Sequence, residues 1–278
     1  MKAGIAGSNP DGTAPTLALS NLLREVGEAV FSLNTTVVGL DAVENGYEKP
    51  ESLDISWNPI DRRIAARKTR KFVLESVLIH VSEALNQYIS ALSGLPRFVD
   101  IREAWAMPKA DDSAAKKLTD VAFALLGREN YRIAGAVLLV HWRNRIVHKA
   151  SRARLAGPLK RLLQENETQI ALDYKSLSID CLFCHFEEGR PSLKDVSSLI
   201  AMTIKLAKEM DKQIYECFSR EDLQVWLDYY NLLPQLEKVS SETKAEKLQE
   251  SIKRVFSTNA PQLYDYYIRF GRVKKGDD

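Results

Sequence analysis

The chain has 278 residues, 45% hydrophobic and 27% charged, with 39 Lys and Arg against 37 Asp and Glu for a formal net charge of +2. That is ordinary globular composition, which excludes a disordered tail, a collagen-like fibre and a coiled-coil rod. No stretch reaches the ~18 to 20 uncharged apolar residues that span a bilayer, and three cysteines build no disulfide framework.

In chain order, residues 1–15 are rich in Gly, Asn and Pro. They lack the apolar core of a secretory signal and are expected to be disordered, in a cytoplasmic protein. Leu17, Leu22, Leu23, Val26, Val30 and Leu33 recur at helical spacing, predicting a helix over 16–33 with a continuation to about 44. Asn58-Pro59 reads as the start of a long second helix, and Ser93-Gly94-Leu95-Pro96 as its stop. A short helix is expected over 113–127. From Ile133 to Val140 the chain reads IAGAVLLV, apolar on every side, which marks a buried helix. That helix is expected over 130–154, with Gly157-Pro158 ending it.

The stretch 168–187 mixes β-branched and aromatic residues and permits one or two short strands or an extended crossover. Ser192 is a plausible N-cap for a helix over 193–218. Three further helices are expected near 220–232, 241–257 and 260–270. The fold class is therefore all-α. Its organisation is a disordered 1–15, a helical domain over 16–218 and a C-terminal helical extension over 219–278.

Near-neutrality conceals segregation. Between Glu129 and Glu165 there is no acid, while Arg132, Arg143, Arg145, Lys149, Arg152, Arg154, Lys160 and Arg161 give +8. Arg62, Arg63, Arg67, Lys68, Arg70 and Lys71 give a further +6. Taking those fourteen out of 39 leaves 25 cations against 37 acids, a net −12. Segregated positive segments attract polyanions by steering and by counterion release, so the net charge does not argue against a polyanionic partner. A solvated helix face is the other reading of such runs.

The larger segment contains His141-Trp142-Arg143-Asn144-Arg145-Ile146-Val147-His148. On a continuous helix, His141, Asn144, Arg145 and His148 share a stripe, and Arg143 points about 140° away from His148. Histidine serves as general acid or base near neutral pH. A guanidinium offers forked donors to phosphate oxygens, and an amide can hold either group in place. The set suits cleavage of an RNA phosphodiester by its own 2′-hydroxyl, a reaction that needs no metal. His148 would take the proton, Arg143 would stabilise charge gathering on phosphorus, and Asn144 would position. Arg145, Lys149 and Arg152 are the candidate contacts to the RNA backbone.

Arg143-Asn144-x-x-x-His148 resembles the RNxxxH signature of the HEPN superfamily, many of whose members are metal-independent endoribonucleases. The match includes the polar residue after the arginine and the placement after a long apolar helix. The basic stretch and second amphipathic helix that follow are similar to those of bacterial HEPN proteins of toxin and phage-defence loci. The resemblance covers about 59–218. It implies a HEPN-like helical bundle that dimerises so that two motifs face one cleft, with Arg143, Asn144 and His148 as active-site residues. An antitoxin or regulatory protein is a further expected partner. Two alternatives stay open: helix C-terminal cations that only complement the dipole, and a HEPN-like module that binds RNA or a protein without cleaving it.

Cys181-Leu182-Phe183-Cys184-His185 fits the C-x-x-C-H pattern of haem attachment and could begin a zinc site. Haem attachment ordinarily requires export, and a zinc site would need a further ligand. The pair is expected as buried, reduced thiols, with no cofactor and no metal. His80, within an apolar run, is expected as a core histidine. Trp226, Tyr229 and Tyr230 are expected in the bundle core or an interface, and the aromatic-basic run from Tyr264 to Lys275 is expected to pack between helices, stacking on single-stranded bases being its other reading.

Overall fold

The computed structural model describes residues 15–93, 113–126, 130–148, 150–216 and 246. Among them the chain forms eight α-helices and no strand, so the class is all-α. The helices are α1 (Leu17–Glu44), α2 (Arg62–Ser93), α3 (Ala114–Leu126), α4 (Tyr131–Val147), α5 (Gly157–Glu165), α6 (Glu167–Asp173), α7 (Ile179–Glu188) and α8 (Leu193–Glu216). The expected N-terminal disorder falls outside the described residues except at Pro15, and the C-terminal helical extension lies outside but for Glu246. No described helix is long and apolar enough to cross a membrane.

Two differences from the predicted elements have clear causes. Residues 168–187 form no strand: 168–173 and 179–187 are helical, joined by a turn over 174–178. Ile179, Leu182 and Phe186 are all buried at helical spacing. Ser178 caps α7 by accepting the Cys181 N–H, and Gly189 closes it at φ 64. The helical period and its caps outweighed the β-propensity of the side chains. The second difference is that α4 ends at Val147, well short of 154. Its apolar face stops at Trp142, and Val147 is already exposed, so no burial drives further turns.

The chain divides into two compact units. Among the described residues, the first joins 15–22, 86–93, 113–126 and 205–216. Within it, Thr16 caps α1 by accepting the Leu19 N–H, and its own N–H donates to Asp211 at 3.0 Å. The Thr16 hydroxyl also donates to Asp211, whose carboxyl burial pushes up to about 6. Tyr88 donates to the Ala207 carbonyl at 3.0 Å, tying α2 to α8 inside this unit.

The second unit joins residues 23–85 and 130–204 and holds every candidate site residue. Asn130 caps α4, its side chain accepting from the N–H groups of Arg132 and Ile133. Ile133, Ala134, Ala136, Leu138 and Leu139 are fully buried, as the all-round apolar run requires. Gly135 lets α8 approach: a Cβ there would collide with the Met202 side chain. Ser192 and Asp195 form a reciprocal cap at the start of α8, each accepting the other's N–H.

Candidate functional site

The break at Val147 builds the site. His148 leaves the helical path at φ −112, ψ 91 while its N–H still bonds the Asn144 carbonyl at 2.9 Å. A continuous helix would separate Arg143 and His148 by about 140°. With the helix ended, Arg143 Nη1 lies 3.5 Å from His148 Nε2. A guanidinium N–H only donates, so Nε2 is the acceptor wherever this contact forms a hydrogen bond.

The other donors of Arg143 fix its orientation. Nη1 also reaches Asn144 Oδ1 at 3.3 Å, and Nη2 pairs with Glu83 Oε1 of α2 at 2.5 Å. Its Nε is buried without an acceptor. His148 is exposed and Glu83 is 46% exposed, so the group opens to solvent at one end. Asn144 therefore positions the arginine through its side chain and the histidine through its backbone. Arg143, Asn144 and His148 come together, joined by Glu83, which the sequence did not single out.

Arg145, expected on the RNA backbone, is held differently. Its Nε donates to the Ala153 carbonyl and its Nη1 to the Phe186 carbonyl, both at 2.9 Å. Its Nη2 meets Glu187 Oε2 at 3.1 Å, and the guanidinium carbon lies 3.8 Å from the Phe186 ring centroid. With 17% of the side chain exposed, it ties the chain beyond α4 and the end of α7 to the last turn of α4. Phe186 in turn meets Trp142 edge to face, centroids 5.4 Å apart. His141 is half-buried, and burial first, then Arg145, pushes its imidazole below the ordinary histidine range.

Arg152, Arg154, Lys160 and Arg161 are exposed, and none makes an acidic ion pair among the described residues. Lys149 lies outside the described residues. Pro158 in the first turn of α5 starts the helix that carries Lys160 and Arg161. Lys160 Nζ sits 5.1 Å over the Phe183 ring.

The C-x-x-C-H string has another use than expected. Cys181 and Cys184 are exposed, not buried, because Ile179, Leu182 and Phe186 take the inner face of α7. His185 Nδ1 contacts buried Asp195 at 2.8 Å, linking α7 to α8. Among the described residues, no three His, Cys, Asp or Glu side chains converge as a metal-ligand set. His80 is also not in the core: it is 51% exposed and lies 3.3 Å from Glu25. No family model matches the chain, and neither a curated protein nor a solved structure matches it.

Proposed function

We propose that the chain is a metal-independent endoribonuclease of HEPN type, acting as a homodimer with a composite cleft, in a toxin or antiphage role. The observation that carries this reading is the 3.5 Å approach of Arg143 to His148, created by the end of α4. His148 Nε2 takes the proton of the RNA 2′-hydroxyl. The 2′-oxygen bonds to phosphorus, and the bond to the 5′-oxygen breaks. The departing 5′-oxygen is protonated by imidazolium or water, leaving a 2′,3′-cyclic phosphate and a 5′-hydroxyl. Arg143 stabilises the charge on the phosphoryl oxygens, and Asn144 and Glu83 hold its guanidinium in place. Arg152, with Lys149, draws in the RNA backbone, and Arg145 serves as a positioning residue.

One observation favours a second reading. The Glu83 carboxylate already neutralises Arg143 at 2.5 Å, as in a module that binds RNA or a protein partner without turnover. Substrates decide between the two. An RNA and its fully 2′-deoxy counterpart are incubated with wild type and with His148→Ala. Cleavage of the RNA alone, by wild type alone, supports the nuclease. Salt-dependent RNA binding without cleavage by either protein supports the binding module.

A further inference from the structure

The basic start of α2 carries a feature that the reaction at His148 does not use. Arg67, Arg70 and Lys71 edge a groove of about 420 Å³ in the second unit. That volume lies within the ~300–1,000 Å³ range of small-molecule sites. Val37 of α1, Leu74 of α2 and Leu193 of α8 supply apolar wall. The groove thus sets three cations beside a surface suited to a ring.

The acids that face these cations do not balance them. Arg67 Nε and Arg70 Nη2 share one carboxylate, Glu44, at 3.2 and 3.6 Å. Lys71 lies 3.6 Å from Glu75. Two carboxylates against three cations leave a surplus positive charge. Arg70 Nε–H is buried and meets no acceptor, an arrangement that is unfavourable until its guanidinium turns toward one. Arg67 is 71% exposed, so its fork is open to solvent. The α8 N-terminus adds little, because buried Asp195 already sits in its first turn.

We propose that this groove binds a phosphate ester of nucleotide size, with Arg67, Arg70 and Lys71 on the phosphate oxygens and the apolar wall against the sugar or base. Two sources supply that chemistry: a free nucleotide, and the 5′-phosphorylated end of an RNA strand. Either would give the protein a second nucleotide-reading point, apart from the scissile bond.

Isothermal titration of the full-length chain tests this with ADP, inorganic pyrophosphate and two short 2′-O-methyl RNAs. One RNA carries a 5′-phosphate and the other a 5′-hydroxyl, and neither has a 2′-hydroxyl to react. The expected result is binding that falls about tenfold or more in Arg67→Ala/Lys71→Ala, both exposed positions, at unchanged melting temperature. Arg70→Lys, which keeps the charge and removes the fork, should also weaken it. Binding of ADP and pyrophosphate identifies a free nucleotide, and preference for the 5′-phosphorylated RNA identifies a strand end. His148→Ala should bind the same probes unchanged, so a failed nuclease assay leaves the groove standing. Absence of binding by every probe, or equal affinity in wild type and the double variant, overturns the proposal.

Discussion

In α2, Lys71 pairs within its own helix, with Glu75, while Arg62 meets Glu48, and Arg67 and Arg70 share Glu44 at the end of the preceding helix, α1. In the segment 130–164, which contains no acid, Arg132, Arg143 and Arg145 instead find Asp173, Glu83 and Glu187, all distant in sequence. Its outer cations, Arg152, Arg154, Lys160 and Arg161, stay exposed. A run that is acid-free in sequence is therefore not acid-free in space. Its inner arginines organise the fold and the site, and its outer ones remain able to meet a polyanion. Within the inner group, Arg143 and Arg145 differ again. Arg143 points to an exposed histidine, whereas Arg145 is clamped on two carbonyls, a carboxylate and a ring.

Substitutions can break that distinction. The largest expected effect is on catalysis. Arg143→Ala should reduce RNA cleavage by about 10²–10³-fold, the usual loss for one preorganised donor to a developing anion. Arg143→Lys should recover little, since one ammonium does not replace a fork that reaches both Glu83 and His148. Single-turnover rates read both. Glu83→Ala should lower the same rate by a smaller factor, through loss of orientation.

Arg145→Ala should act on stability instead. Removing a mostly buried charge that bonds two carbonyls is expected to cost about 2–4 kcal/mol, seen as a lower denaturant midpoint. Arg152→Ala is the counterpart on the outer side. It should leave the midpoint unchanged while flattening the slope of log affinity against log salt by about 0.7–0.9. If Arg152→Ala destabilised the fold and Arg145→Ala did not, the division into inner and outer cations would fail.

The smallest expected effect is on pH dependence. The folded pKa of His141 lies below its ordinary 6.5, so the unfolded chain takes up this proton first. Its influence on stability is absent above that value, and stability falls as the pH drops below 6.5 toward the folded pKa. Arg145 is the second cause of that lowering, after burial. Arg145→Ala should therefore make the acid limb shallower, which melts between about pH 7 and pH 5 would record.

Much of the helical scaffold was legible in sequence. The apolar spacing of α1, the run Ile133–Val140 and the capping residue Ser192 all act locally, and local rules found them. The helices α6 and α7 were obscured by β-branched and aromatic side chains, although Ile179, Leu182 and Phe186 already carried a helical period. Arg143, Asn144 and His148 were legible as residues, but their approach was not. It depends on where α4 stops, and Arg145 fastens the chain beyond that stop through Ala153. Glu83 and Glu187 gave no signal, because an ion pair between distant helices leaves no mark on local spacing.

End-group mapping tests the central claim most directly. Purified wild type and His148→Ala are incubated with a defined RNA in EDTA, and the fragment ends are identified. Fragments with 2′,3′-cyclic phosphate and 5′-hydroxyl ends from wild type, reduced by about 10²-fold or more in His148→Ala at equal thermal stability, are the predicted result. Equal cleavage by both proteins, no cleavage by wild type, or fragments ending in 3′-hydroxyl and 5′-phosphate would contradict it.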